Sequence, residues 1–268
     1  MNRQEIIAQI REKKSYLCVG LDSDIDKIPK FLHSYSDPVF EFNRRIIDAT
    51  KDYCVSYKIN TAFYESRRIK GWESMEKTVH YIPSTHFKIA DAKRGDIGNT
   101  SSQYAKAFFE ALPFDGITVA PYMGADSVKP FLEYENKWTI LLGLTSNSGA
   151  RDFELQPAGN MFLYEQVITT ASSWGNSGNL MFVIGATQAD SFTRIRELAP
   201  EHFYLVPGVG AQGGSLEEIS KKAMNKDIGL LVNASRAIIF ASEKEDFESE
   251  AAVIAKQYQF EMAGYINS

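Results

Sequence analysis

The sequence predicts a closed (β/α)8 barrel of the TIM type, with residues 1–268 forming a single domain. Eight short apolar runs alternate with eight longer amphipathic stretches along the chain. The runs are apolar on both faces, as expected for parallel strands that helices cover. Such barrels commonly fill about 250 residues. An open doubly wound sheet is the alternative, and the count of eight units favours closure.

The predicted elements follow one another in strict alternation. A short N-terminal helix is expected over about residues 2–14, because Ile6, Ile7 and Ile10 share one helical face. The strands are predicted at 16–22, 54–60, 86–92, 116–120, 139–145, 180–186, 203–208 and 228–234. The helices are predicted at 38–52, 72–82, 100–112, 124–136, 160–174, 188–198, 215–225 and 245–259. The long irregular stretch 146–160 is interpreted as an active-site loop rather than a domain boundary.

Composition excludes several classes of partner. The net charge of −5 argues against binding to nucleic acid or to an anionic membrane, both of which favour a basic face. No apolar run reaches the ~18 residues that a membrane span needs, and the N-terminus lacks the apolar core of a signal peptide. Cys18 and Cys54 lie in apolar runs, which predicts buried free thiols in a reducing compartment. We therefore expect a cytoplasmic protein.

The ends of the predicted strands are unusually polar, and reactive groups in such barrels gather at these ends. The stretch DAKRGDIGNTS, at 91–101, places four charges within six residues directly after an apolar run. Further polar residues follow the other strands. At or just past the strand ends lie Asp22, Lys58, Asn60, Asp91, Lys93, Thr145, Ser146, Asn147, Ser148, Asn233, Ser235 and Arg236. This clustering predicts an active site at one end of the barrel rather than a solvated rim.

Asp91 and Lys93 are two residues apart on a strand and should point to the same side. Lys58 ends the neighbouring strand and can join them, so that the opposite charges keep one another ionised. An ion-pair network that ties the two strands together is the structural alternative. Periodicity does not set the direction of Asp96, and Asn99 or Thr100 is also a candidate N-cap for the helix that follows.

The loop PGVGAQGG, at 207–214, contains a literal G-x-G-x-x-G. A dinucleotide site is disfavoured because no acidic residue ends the next strand to hold a ribose. A phosphate cradle is the preferred interpretation, with Gln212 donating from the loop and Arg236 from the next one. A tight turn beside an unrelated surface arginine is the alternative. No histidine ends a strand, so neither a histidine-based metal site nor histidine acid–base catalysis is expected. No Ser/His/Asp order with a nucleophile elbow occurs either.

These motifs resemble the orotidine 5′-monophosphate decarboxylase family, in its longer bacterial branch. DAKRGDIGNT is similar to the family signature D-x-K-x-x-D-I-x-x-T. The resemblance extends from Asp22 to Arg236 through LDSD, YKIN, LTSNSG, PGVGAQGG and NASRAI. It implies decarboxylation of orotidine 5′-monophosphate to UMP without a metal or another cofactor.

The resemblance also implies roles for individual residues. Lys58, Asp91, Lys93 and Asp96 would form the catalytic array, with Lys93 as the proton donor. In the family the last Asp reaches the partner subunit's site in a homodimer, together with the Ile and Thr that follow it. The candidate substrate-binding residues are Asp22, Asn60, Ile97, Thr100, Thr145, Ser146, Ser148, Gly210, Gln212 and Arg236. Ser148 is favoured over Ser146 for the pyrimidine edge, and Arg94 receives no role.

Two alternatives stay open from the residues. Related barrel enzymes that act on sugar phosphates carry D-x-K-x-x-D but use Mg²⁺ with an additional metal-binding carboxylate. Here strand one ends in a lone Asp22, which disfavours them. A nucleotide-binding barrel without activity is the second alternative, but a mere binder does not need four opposed charges in one site.

Overall fold

A computed structural model describes residues 1–210 and 213–266 and contains a closed barrel of eight parallel strands. The predicted fold class is therefore confirmed. The strands are β1 Leu17–Gly20, β2 Ser56–Asn60, β3 Phe87–Arg94, β4 Gly116–Val119, β5 Trp138–Leu144, β6 Leu180–Ile184, β7 Phe203–Pro207 and β8 Leu230–Ala234. Each strand pairs with its neighbours in the sequence, and β1 pairs with β8 to close the barrel.

Helices cover the outside of the barrel. The α-helices are Arg3–Lys13, Pro38–Thr50, Ala62–Glu65, Arg68–Tyr81, Asn99–Lys106, Ala125–Leu132, Leu163–Ser172, Phe192–Leu198, Leu216–Ala223, Arg236–Ile239 and Phe247–Ile266. The first lies where the N-terminal helix is predicted, and its apolar face buries Ile6 and Ile10. A capping box between Asn2 and Glu5 sets its start.

The core lies inside the barrel and between the strands and helices. Trp138, Tyr57 and Phe182 are fully buried, as the apolar character of both strand faces predicts. Cys18 and Cys54 are buried free thiols, also as predicted. Burial raises the pKa of the Cys54 thiol to about 11, so it stays protonated at neutral pH.

The structure differs from the predicted elements mainly at their ends and in the loop after β5. The stretch 146–160 contains a 3-10 helix at Ser148–Asp152 and the first strand of a small antiparallel pair, Pro157–Ala158 with Met161–Phe162. The next helix consequently begins at Leu163, three residues later than predicted. Local hydrogen bonds of this kind leave no periodic apolar signal in a sequence.

Across the described residues, even the longest helix, Phe247–Ile266, lacks the continuous apolar length that a bilayer crossing requires.

Gly71 is a position where a side chain would collide with the fold. It lies in the buried face of helix Arg68–Tyr81, and a Cβ there would meet the carbonyl oxygen of Tyr64 at 1.7 Å. We expect Gly71→Ala to lower the free energy of unfolding by about 2–3 kcal/mol, because the backbone must shift. Urea denaturation of the purified protein measures the change.

The matched control is Gly264→Ala, where nothing lies within 4 Å of the added Cβ. That change should leave stability unaltered or raise it by up to about 1 kcal/mol, because alanine favours a helix. Equal losses in the two variants would contradict the close approach at Gly71.

Candidate active site

A cavity of about 290 Å³ opens at the carboxyl ends of the barrel strands. It brings together most of the predicted site residues, which come from segments far apart in the sequence. Those that line it are Asp22, Lys58, Asn60, Asp91, Lys93, Thr145, Ser146 and Arg236. The polar strand ends therefore meet around one cavity, and its function as the active site stays a prediction.

Lys58 forms the centre of the charged group in this cavity. Its ammonium lies 3.2 Å from Asp22 Oδ1 and 2.9 Å from Asp91 Oδ2. The side chain of Lys58 is only 5% exposed and that of Asp91 only 11%, whereas that of Lys93 is 52% exposed. Lys93 Nζ donates to Asp91 Oδ1 at 2.6 Å. The Asp91 carboxylate is therefore bridged by two ammonium groups.

The mutual pairing keeps these groups ionised. Burial by itself lowers the pKa of Lys58, but the charges of Asp22 and Asp91 outweigh burial and raise it above its ordinary value. Burial acts to raise the pKa of Asp91, and Lys58 and Lys93 together hold it well below the ordinary value. Lys58 and Asp91 are thus charged across the neutral range.

The backbone places Lys93 beside Asp91 by an irregular route. The pairing of β3 with β4 shifts between Ala90 and Arg94, and Lys93 adopts a left-handed φ of 47°. Regular strand alternation predicted that the two side chains would lie on the same side of β3. They do meet, but the reason was wrong, since a bulge rather than alternation directs Lys93.

Four polar residues in the cavity lining received no role from the sequence. They are Thr118, Asn147, Asn233 and Ser235. Thr118 donates to Asp91 Oδ1 at 3.0 Å, and Asn233 has a buried Oδ1 without a hydrogen-bond partner among the described residues. A threonine within the apolar run GITVA was the available signal for the first. Leu142, Val183 and Leu205 provide apolar surface in the same cavity.

The loop after β5 carries Thr145 and Ser146 into the cavity. Glu154 holds this loop, because it accepts from the Thr145 backbone N–H at 2.6 Å and from the Thr145 hydroxyl at 2.8 Å. Ser148 begins the 3-10 helix, is exposed and does not line the cavity. Which of Ser146 and Ser148 contacts a pyrimidine stays a prediction, and the geometry now favours Ser146.

Arg236 lines the cavity, as does Gly208. It is exposed, and among the described residues its guanidinium has no carboxylate partner. Gly210 has a φ of 72° and lines an adjoining groove with Tyr258. Gln212, the predicted donor from this loop, lies outside the described residues. The phosphate cradle therefore stays a prediction that an unpaired Arg236 supports.

Asp96, Ile97 and Thr100 lie outside the cavity of their own chain. Ile97 is 63% exposed, and its backbone N–H donates to Asp96 Oδ1 at 2.7 Å. Gly98 is the N-cap of helix Asn99–Lys106, so the N-cap alternative is wrong for both Asn99 and Thr100. Their part in the site of a second subunit stays a prediction.

A closed parallel barrel with a lysine–carboxylate–lysine group at the carboxyl ends of its strands has the organisation of barrel enzymes. The chain belongs to the orotidine 5'-phosphate decarboxylase / HUMPS family, whose sequence model matches residues 15–249. The predicted family is thereby confirmed.

Similar proteins cover nearly the whole chain. The orotidine 5'-phosphate decarboxylase of Christiangramia forsetii is 58% identical over 266 residues, which are 98% of each chain. That of Flavobacterium johnsoniae is 58% identical over 271 residues, 100% of this chain and 99% of the relative. The structure of Leishmania donovani OMP decarboxylase aligns with a TM-score of 0.82 at 33% identity, covering 97% of this chain and 99% of that chain.

Replacing Lys58 should expose the electrostatic role of the buried ion pairs. Lys58→Met leaves Asp22 and Asp91 without their shared cation, so we expect a loss of about 3 kcal/mol in unfolding free energy at pH 7. Because folding lowers the pKa of Asp91, this residue contributes fully to the unfolding free energy above its ordinary pKa of 3.8. That contribution is lost as pH falls below 3.8. Because folding raises the pKa of Lys58, this residue contributes fully to the unfolding free energy below its ordinary pKa of 10.5. That contribution is lost as pH rises above 10.5.

The stability gap between wild type and Lys58→Met should therefore be constant near neutrality and narrow below about pH 4. Urea denaturation across pH measures it. The control is Lys77→Met, which breaks the Lys77–Asp37 pair, whose lysine is 50% exposed. Lys77→Met should lower the unfolding free energy by less than about 1 kcal/mol. A difference in unfolding free energy between wild type and Lys58→Met that does not narrow at acidic pH would contradict the electrostatic role of the Lys58 ion pairs.

Proposed function

We propose that this chain decarboxylates orotidine 5′-monophosphate to UMP, the last step of UMP synthesis, without a metal or another cofactor. The observation that carries the proposal is the Lys58–Asp91–Lys93 group in the barrel mouth, with Asp22 beside it. The relatives that are 58% identical over nearly the whole chain bear the same activity in their names. Both cysteines are free thiols, which fits a cytoplasmic enzyme.

The chemistry requires a charged site. Loss of CO2 from C6 of the pyrimidine leaves an electron pair in the plane of the ring, where the π system cannot delocalise it. A preorganised cation beside C6 stabilises that charge better than water can. Lys93 supplies the cation and then transfers a proton from Nζ to C6. Solvent reprotonates the neutral amine, which suits its half-exposed position.

Asp91 has two roles in this proposal. It holds the Lys93 ammonium at 2.6 Å and so directs it at the reacting carbon. It also lies where the carboxylate of the substrate would enter, and two like charges ~4 Å apart repel by about 4 kcal/mol at an effective dielectric of ~20. Departure of CO2 relieves that repulsion. Lys58 keeps Asp91 charged while Lys93 gives up its proton.

The remaining residues bind the parts of the nucleotide that do not react. Asp22 and Asn60 accept from ribose hydroxyls, and Arg236, which has no carboxylate partner in the described part of the chain, suits a 5′-phosphate. Gly210 and Gln212 complete the phosphate loop in this proposal. Thr145 and Ser146 reach the side of the cavity where the pyrimidine edge would lie. Binding energy from the phosphate contributes to the rate by holding the ring against Lys93.

We propose that the active form is a homodimer in which Asp96, Ile97 and Thr100 complete the partner's site. Three exposed apolar side chains near this rim support the proposal: Ile97 is 63% exposed, Tyr122 88% and Met123 44%. The Met123 methyl lies 3.5 Å from the position of a Cβ on Gly95, which connects the rim segment to this surface. An apolar surface of this kind is typical of an interface between subunits.

The activity is tested directly by adding orotidine 5′-monophosphate to the purified protein in excess EDTA and following the loss of the orotate absorbance. We expect rapid turnover by the wild type. Lys93→Ala should lose about 10³-fold or more in kcat, because both the cation and the proton are removed. Lys88→Ala, on the same strand but outside the cavity lining, is the matched control and should keep wild-type activity.

Two results would overturn the proposal. Tight binding of UMP without turnover would indicate a nucleotide-binding barrel. Turnover of sugar phosphates that requires Mg²⁺, with none of orotidine 5′-monophosphate, would place the chain in the other branch of its family.

The dimer is tested by mixing Lys93→Ala and Asp96→Ala subunits, each inactive alone. After free exchange in a 1:1 mixture, half of the dimers are mixed and each has one intact site of two. We therefore expect about a quarter of wild-type activity. Native mass spectrometry verifies the exchange. Complete exchange without recovered activity would contradict a site shared between subunits.

A further inference from the structure

Thr118 lies on β4, is 1% exposed and contacts both of the groups that act on the substrate in the proposed reaction. Its hydroxyl accepts from the Lys93 backbone N–H at 2.9 Å and donates to Asp91 Oδ1 at 3.0 Å. A hydroxyl can accept and donate at once, whereas an apolar side chain can do neither. Among the described residues, Thr118 thus connects the backbone of Lys93 to the carboxylate that its ammonium contacts.

The bulge in β3 explains why this connection is needed. Ala90 pairs with Ile117, and the next paired residues are Arg94 and Val119. Three residues of β3 therefore lie opposite Thr118 alone, and Lys93 leaves the regular ladder with a left-handed φ of 47°. A non-glycine residue persists in that conformation only where its surroundings hold it. The Thr118 hydroxyl supplies the partner that the ladder does not offer to the Lys93 N–H.

We propose that Thr118 is a positioning residue of the decarboxylation site, an inference that rests on the proposed function. Its hydroxyl holds the bulge that directs Lys93 and fixes Oδ1 of Asp91, which also accepts from Lys93 Nζ. When Lys93 gives its proton to the substrate, Thr118 and Lys58 still hold the Asp91 carboxylate in place. The two reacting groups keep their relative geometry through the reaction cycle.

The test compares two substitutions at this position. Thr118→Val keeps the shape of the side chain and removes the hydroxyl, whereas Thr118→Ser keeps the hydroxyl and removes the methyl. We expect kcat of Thr118→Val to fall about 10- to 100-fold with KM changed by less than about threefold, because misplacement affects the reacting atoms more than binding. Thr118→Ser should stay within about threefold of wild type.

Thr139→Val is the matched control. Thr139 is a fully buried threonine on β5 whose hydroxyl has no hydrogen-bond partner among the described residues. Removing that hydroxyl should leave kcat unchanged. If Thr118→Val does not fold, as judged by thermal unfolding, Thr118→Ala removes the same hydroxyl and is measured in its place with the same expected loss.

The outcomes separate the two proposals. A wild-type protein without activity on orotidine 5′-monophosphate would overturn the proposed function itself. An active wild type with Thr118→Val within twofold of its kcat would overturn the role of Thr118 alone. Equal losses in Thr118→Val and Thr118→Ser would also overturn it, because packing rather than the hydroxyl would then be responsible.

Discussion

The buried ammonium of Lys58 is the constraint on which the mouth of the barrel depends. Removing such a charge from water costs several kcal/mol unless counter-charges and hydrogen bonds replace the solvent. Asp22 and Asp91 supply both, at 3.2 and 2.9 Å. Asp22 lies just past the end of β1, whereas Lys58 and Asp91 lie within β2 and β3, and the three strands lie side by side. The order of strands in the closed barrel therefore stabilises the buried ammonium, because it brings both carboxylates next to Lys58.

Asp91 extends the same group to Lys93, the proposed proton donor. Its carboxylate accepts from Lys58, Lys93 and Thr118, so that charges and dipoles are oriented before any substrate arrives. Sites of this kind stabilise developing charge with little reorganisation. On the opposite side of the cavity, Glu154 performs a comparable task when it holds the backbone and hydroxyl of Thr145.

Most of the fold could be predicted because a barrel of parallel strands has a strong periodic signature. The runs around Leu17, Trp138 and Leu230 are apolar on both faces, and the structure buries them inside the helical layer. The small antiparallel pair at 157–162 escaped prediction because two-residue strands have no period. The site could be located for a related reason, since charges placed directly after apolar runs must meet at one end of the barrel.

By itself, the sequence determined the fold class and which polar strand ends meet around one cavity, since both follow from the alternation of apolar runs and polar strand ends. Tertiary structure alone decided how Lys93 meets Asp91. The bulge in β3 depends on a register that β4 imposes, and the role of Thr118 depends on that same pairing. Hydrogen bonds between strands join residues far apart in the chain, so no local pattern in the sequence specifies them.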